Sequence, residues 1–288
     1  MDQTYRERLE AFLSRHTYRD CRLEGFSFHY LCCGSGEVAL TLFVGGLGKS
    51  QLWFPYIEEL ENDYRILAMD YPPEARTNEE VIYAVRLLME HEGISSSVLV
   101  GSSIGGYLAQ MFAREYPAST DGLVLFSTAA FSASTQQELK KSYTRRRELL
   151  TLSVIRTVPY VLLKKVRIRQ LEKSWKEITP GERAYMKELL KEVYRGYTAR
   201  QDLYMTRRFY DMLRQRPAGR EDFAYLRGKI LIRLSDQDTT FSRRMQKNLI
   251  DMMPGAVIEN GVRGGHMATM MRPGEYAAAL REFLEMTF

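Results

Sequence analysis

The sequence predicts an α/β fold, a mainly parallel β-sheet flanked by helices, with an inserted helical segment in the second half of the chain. Three observations carry that prediction. Short β-branched and apolar runs alternate with helix-period segments, the pattern of strand–helix–strand crossovers that bury a parallel sheet on both faces. The run Val98-Leu99-Val100 enters a Gly-x-Ser-x-Gly pentad and leaves directly into a helix-period segment, Tyr107-Leu108-Ala109-Gln110-Met111-Phe112-Ala113. Between residues 127 and 228 the strand signal all but stops and the chain reads as helix.

Strands are expected over residues 26–32, which alternate, and over the apolar runs 38–44, 64–69, 97–101, 122–126, 230–234 and 256–259. Helices are expected over 51–62, 78–91, 104–115, 243–252 and 275–285, in alternation with the later strands. No internal repeat or low-complexity tract interrupts this order.

The pentad is the segment that speaks most directly to chemistry. Its central serine is Ser103, flanked by Gly101 and Gly105. Glycines lack a Cβ, so a strand can turn there into a helix and lift the serine above the sheet edge. The helix starting at Ile104 directs unpaired N–H groups at any anion that forms beside the serine. This is the pattern of a nucleophile elbow.

A serine hydroxyl needs a base to take its proton. Of the four histidines, His16 ends a charged N-terminal helix, His29 lies in an alternating strand and His91 closes a polar helix; structural roles are expected for all three. His266 stands in the loop Gly264-Gly265-His266-Met267, after the strand 256–259 and before the final helix, and is the candidate base. The acid should come from Ser235-Asp236-Gln237-Asp238-Thr239-Thr240-Phe241, the exit of the preceding strand. Asp238, the last acid before the chain turns into a helix near Phe241, is taken as the catalytic one. Asp236 is the alternative, otherwise bracing the turn as loop aspartates do. The acid would hold the imidazole in one tautomer and offset its charge when protonated.

With serine, acid and histidine in that chain order, the sequence resembles the α/β-hydrolase superfamily. Leu42-Phe43-Val44-Gly45-Gly46-Leu47-Gly48-Lys49-Ser50 is similar to the family's oxyanion turn after the third strand, and Trp53 with the helix and strand that follow sit at the usual distance. The resemblance implies the α/β-hydrolase fold, a helical cap in the insertion, and backbone N–H donors at Leu47 and Ile104 forming the oxyanion hole. The sequence departs from the pattern at Gly45, where histidine is common, and at Tyr71-Pro72-Pro73-Glu74, where a glycine-rich turn is usual. The domain reading is a core of residues 1–130 and 221–288 with a cap over 131–220.

Composition agrees. The chain has 288 residues, 45% of them hydrophobic and 27% charged, enough to bury a full core. No apolar run reaches the ~18 residues that span a bilayer, and the polar residues 1–8 lack a signal-peptide core. The three cysteines, Cys21, Cys32 and Cys33, form neither an even disulfide set nor a spaced metal site, which fits a reducing cytoplasm. No metal or cofactor is implied, and no nucleic-acid motif accompanies the basic charge.

That charge is uneven. Residues 131–220 carry 22 Lys or Arg against 9 Asp or Glu, a net of +13, whereas the rest carries −8, which together give the +5 of the chain. One reading is a solvated face whose sign helps the insertion dock on an acidic body. The other is that it meets an anion: a substrate carboxylate or phosphate, an acidic carrier protein, or a lipid surface. Residues 149–165, apolar with Arg156, Lys164 and Lys165 around them, read first as a core-facing helix and second as an interfacial one. Tyrosines 143, 160, 185, 194, 197, 204 and 210, with Met186, Met205 and Met212, are expected mostly in packing, a few at a pocket roof suited to an apolar or aromatic substrate.

The function these residues imply is a serine hydrolase (carboxylesterase-like) cleaving a carboxylic ester or related activated acyl compound through an acyl-enzyme. The partner is a small-molecule acyl substrate, with an anionic one left open. The alternatives are a thioesterase acting on an acyl carrier and a slow-turnover ligand receptor on the same fold.

Overall fold

The structure is a computed structural model that describes residues 4–175 and 177–288. Residues 1–3 of the polar N-terminal stretch, and Lys176 of the basic insertion, lie outside the described residues.

The strands are β1 (Arg19–Leu23), β2 (Phe26–Cys33), β3 (Ala39–Phe43), β4 (Arg65–Asp70), β5 (Ser97–Ser102), β6 (Thr120–Phe126), β7 (Ile230–Arg233) and β8 (Val257–Glu259). They form one sheet in the order β1-β2-β4-β3-β5-β6-β7-β8. Only β1–β2 and β2–β4 pair antiparallel; every other pairing is parallel. The central strands β3 and β5 are buried at every position, because helices cover both faces and each side chain, whichever way it points, meets apolar surface.

Strand β1 was not expected from the sequence. Its Arg19, Asp20 and Arg22 are exposed and only Cys21 and Leu23 pack partly against the core, because it is the sheet's edge, where charged side chains discourage pairing with another chain. It joins β2 through Glu24 and Gly25, both at positive φ.

The helices are α1 (Tyr5–Arg15), α2 (Phe54–Leu60), α3 (Asn78–His91), α4 (Ile104–Glu115), α5 (Ala133–Ser142), α6 (Arg145–Thr157), α7 (Tyr160–Ser174), α8 (Pro180–Arg195), α9 (Ala199–Met212), α10 (Arg243–Met252), α11 (Ala268–Met271) and α12 (Pro273–Thr287). Where residues 51–62 were expected as one helix, a 3₁₀ turn, Ser50–Trp53, precedes a shorter α2, since Pro55 supplies no N–H to an earlier turn. Helix α4 is buried from Ile104 through Ala113 and lies against β5, β6 and β3. The three other histidines have local roles. His16 caps α1 and meets the Phe12 carbonyl at 2.9 Å and Glu61 at 2.5 Å, His29 meets Asp20 at 2.8 Å, and His91 closes α3.

Helices α5 to α9 fill the interval between β6 and β7. The two ends of this insertion meet, the Ala218 N–H donating to the Phe131 carbonyl at 2.7 Å. Gln110 on α4 fastens the entrance: its amide nitrogen donates to the Ala129 carbonyl, and its oxygen accepts from the Phe131 N–H at 2.8 Å. Thr179 with Glu182 and Thr198 with Gln201 form capping boxes that start α8 and α9. Arg208 on α9 is almost fully buried, donates to the Ala75 and Arg76 carbonyls, and stacks on Tyr204; burial holds its guanidinium below the usual arginine range.

The segment 149–165, read first as a core-facing helix, divides: α6 buries Leu152 and Ile155, whereas no residue of α7 is fully buried and only Tyr160, Ile168 and Leu171 pack partly against the core. The insertion's positive charge does not reach the body through ion pairs of its own lysines and arginines. Among the described residues, the one ion pair joining the two is Arg272 of the body with Glu182 of the insertion, at 2.7 Å and opposite in sense.

Gly101 is required by close approach rather than by backbone angle: a Cβ there would stand 2.5 Å from the Gly105 carbonyl oxygen and 2.6 Å from the Gly106 Cα. Gly101→Ala should therefore lower the urea unfolding free energy by about 1–3 kcal/mol. Gly46→Ala, where a Cβ meets nothing within 4 Å, should change it by less than about 0.5 kcal/mol.

Candidate active site

Ser103 sits between β5 and α4 with φ 55° and ψ −122°, a strained conformation for a residue with a side chain. The unusual backbone angles fall on the serine itself, and Gly101, Gly105 and Gly106, lacking a Cβ, provide the room for β5 and α4 to close around it, as the glycine-flanked pentad predicts. The bend is held on both sides of the peptide. The Ser103 N–H donates to the Phe126 carbonyl at 3.1 Å, and the Thr128 hydroxyl donates to the Ser103 carbonyl at 2.7 Å. Nothing in the sequence singles out Thr128; it reaches the site because β6 lies beside β5.

The serine Oγ lies 2.9 Å from Nε2 of His266. The imidazole Nδ1 lies 2.8 Å from Oδ2 of Asp238. A carboxylate only accepts, so Nδ1 carries the hydrogen and the Nε2 lone pair faces the serine hydroxyl. Asp238 has a side chain only 1% exposed, and its other oxygen accepts from the N–H groups of Thr240 at 2.7 Å and Phe241 at 3.1 Å. Asp236, by contrast, is exposed and makes no side-chain hydrogen bond among the described residues. The turn-bracing task assigned to Asp236 belongs to Asp238, which supports the turn with one oxygen and the imidazole with the other.

His266 lies on a 3₁₀ turn, Gly265–Met267, rather than in an open loop. Gly264 and Gly265 have φ of 108° and 65°, angles that favour glycine, and they aim the imidazole back across the sheet edge. Ser235 accepts from the Gly265 N–H at 3.1 Å, tying the two turns together, and the Phe241 ring packs edge-on to the imidazole at 5.3 Å. Both residues lie in the turn the sequence reading singled out, yet no local signal marks their contact with the histidine turn.

Leu47 follows β3 and Ile104 begins α4. Neither N–H donates a hydrogen bond among the described residues, and both residues border the same cavity as Ser103 and His266. That cavity encloses about 560 Å³, enough for a medium-sized organic molecule. Its roof comes from the insertion: Tyr143, Tyr194, Tyr197, Met205, Phe209 and Tyr210 among the apolar and aromatic groups, with Arg147 and Arg167 the cations. Arg167 is engaged by Asp202 at 3.3 Å, whereas Arg147 has no ion-pair partner among the described residues. Ser102 turns its buried hydroxyl to Thr269 at 3.4 Å.

The family model described as the alpha/beta hydrolase family matches residues 41–279. The chain belongs to that family. The 2-hydroxy-6-oxo-6-phenylhexa-2,4-dienoate hydrolase of Comamonas testosteroni is 31% identical over 125 residues, 39% of this chain and 43% of that protein. A proline iminopeptidase of Pestalotiopsis fici is 29% identical over 119 residues, 37% of this chain and 42% of that protein. The chain thus spans under half the length of these curated relatives in the matched stretch. Among solved structures, the enol-lactonase of Burkholderia xenovorans LB400 superposes with a TM-score of 0.73 at 15% identity, covering 93% of this chain and all of that one. A thermophilic esterase from Thermogutta terrifontis gives 0.70 at 21% identity, covering 94% and 98%. At these identities the likeness to solved structures is one of fold.

Fluorophosphonate treatment should place a single adduct on Ser103, and Ser103→Ala should abolish labelling with the far-UV spectrum unchanged. Peptide mapping that located the adduct on Ser102 would contradict the geometry of the bend.

Proposed function

We propose that this protein is a serine hydrolase that cleaves a carboxylic ester or a related activated acyl compound through an acyl-enzyme. The single observation that carries the reading is the unbroken hydrogen-bond chain from Ser103 through His266 to Asp238, opening on the cavity. Ser103 Oγ attacks the substrate carbonyl while Nε2 of His266 takes its proton. The developing oxyanion is met by the free N–H groups of Leu47 and Ile104, which need no rearrangement when the charge forms. His266 then returns the proton to the leaving group. A water, deprotonated by the same nitrogen, attacks the acyl-enzyme and releases Ser103. Residues 131–220 act as the cap, supplying the pocket roof.

The largely aromatic roof suits an acyl or leaving group of apolar or aromatic character, and the unpaired Arg147 leaves a place for a negative charge on it. An acyl-carrier thioesterase is the second reading, favoured by the same arginine at the pocket and the positive charge of the insertion. Turnover on matched oxygen and thioester substrates discriminates the two, and very slow turnover of both would indicate a receptor.

Asp238→Asn should reduce kcat on a chromogenic ester by about 10⁴-fold, because the asparagine amide would favour the wrong imidazole tautomer. Asp236→Asn should stay within about twofold of wild type, as a surface change remote from any packing. Steady-state kinetics of the two variants side by side tests the assignment, and the reverse order would move the acid to Asp236.

A paired substrate test reads the arginine. For an ester whose acyl chain ends in a carboxylate, kcat/KM should fall as salt rises past the point where charges more than ~8 Å apart are screened, whereas the neutral analogue should be nearly indifferent. Arg147→Gln should raise KM for the charged ester alone.

A further inference from the structure

Helices α6 and α7, consecutive and joined through Val158 and Pro159, carry apolar residues that the fold does not use. Leu149, Leu150 and Val154 on α6, and Val161, Leu162 and Val166 on α7, are all exposed, Val161 by 68% and Leu150 by 58%. Helix α6 does bury Leu152 and Ile155 on its opposite side. Helix α7 buries no residue fully; Tyr160, Ile168 and Leu171 pack partly against the core, and its outward Val161, Leu162 and Val166 are unaccounted for by packing.

Basic residues are interleaved with this apolar set. From residue 145 to 173 the chain holds nine Lys or Arg and two Asp or Glu, and one of those acids, Glu148, is buried against Arg145 and Arg214. Arg146, Arg156, Lys165, Arg169 and Lys173 are exposed and form no ion pair among the described residues. On α7, Val161, Lys165 and Arg169 follow one another at four-residue spacing, beside Leu162 and Val166 at the same spacing. Aliphatic groups and long cationic side chains therefore share one face.

We propose that the α6–α7 segment is a peripheral membrane-docking surface that binds an anionic lipid interface. Leucine and valine side chains enter the boundary between headgroups and acyl chains, while Lys and Arg stems lie along it and deliver their charges to lipid phosphates. The composition points to lipid rather than to a protein partner: the exposed charges from 145 to 173 are all positive, as an anionic surface requires, and the exposed apolar groups are Leu and Val, which are under-represented among the residues that dominate protein-interface energetics. Among the described residues no helix is long and apolar enough to cross a membrane, so this would be attachment to one face. The two helices also contribute Arg147, Thr151, Arg167 and Leu171 to the cavity wall, so the docking surface adjoins the pocket. The proposal is independent of the chemistry at Ser103, and its readout is binding.

Co-sedimentation of the full chain with vesicles of phosphatidylcholine, with and without phosphatidylglycerol, tests it. The protein should bind the anionic vesicles at low salt at least about tenfold more tightly than the neutral ones, and lose that preference at high salt. Two double variants separate the contributions: Leu150→Asp with Leu162→Asp, and Lys165→Glu with Arg169→Glu. Each should weaken binding to anionic vesicles by roughly tenfold or more, with the far-UV circular dichroism and thermal unfolding midpoint unchanged as evidence that the variants are folded. Absence of binding to anionic vesicles, equal binding to both kinds, or wild-type binding by the folded variants would overturn the proposal. So would a concentration-dependent dimer in sedimentation velocity that is abolished by the same substitutions, since the face would then be covered by a second copy.

Discussion

A serine forced to a positive φ at the junction of a buried strand and a buried helix is the constraint on which the rest of the site depends. Ser103 can hold that angle because β5 and α4 are anchored independently of it, β5 by two parallel neighbours and α4 by ten consecutive buried residues. The cost of the strained backbone is about 1–3 kcal/mol, well within what such an over-determined setting can carry. The Phe126 and Thr128 contacts fix the peptide on both sides, so the backbone that carries the hydroxyl is held in place.

The other two members of the hydrogen-bond chain arrive on turns that leave β7 and β8, at the same edge of the sheet as the exit of β5. Parallel strands put their C-terminal ends on one side, and side chains distant in sequence converge there. Asp238 and His266 are 28 positions apart and His266 and Ser103 are 163 apart, yet each pair lies within hydrogen-bond distance. The two oxygens of Asp238 have different duties, one stabilising its own turn and the other orienting the imidazole. A turn that relaxed would therefore misplace the histidine.

The helical insertion is joined to the body by a shared apolar core, with Met186, Leu189 and Met205 in one cluster with Tyr5 and Met271, and by directed hydrogen bonds, with Arg208 buried on the 75–76 peptide carbonyls and Asn78 on the Arg208 carbonyl at 3.0 Å. Such attachment leaves the excess of lysine and arginine free on the outer helices. The insertion has an inner part, α8 and α9 with strong apolar burial, and an outer part in which no residue of α7 is fully buried. The pocket roof is assembled from both.

The sequence alone determined the alternation of strands and helices, the parallel centre of the sheet, the helical insertion, and the chain order of Ser103, Asp238 and His266. These are written locally: apolar runs encode buried strands, a glycine-flanked serine between strand and helix encodes a sharp bend, and glycines before His266 encode its turn. Tertiary structure alone decided what depends on neighbours distant in sequence. The charged strand β1 has only Cys21 and Leu23 as an apolar signature, too short to read locally, and its pairing with β2 makes it a strand. Asp238 and Asp236 have the same chemistry two positions apart; position in the turn favours Asp238 in the sequence, and the approach of the His266 turn is what brings its carboxylate to the imidazole. The strain falls on Ser103 rather than on its glycines because β5, β6 and α4 crowd the bend together. The apolar run 149–165 has the composition of a core helix, and only the packing of the whole insertion decides that Leu152 and Ile155 are buried while Leu149, Leu150, Val154, Val161 and Leu162 face outward.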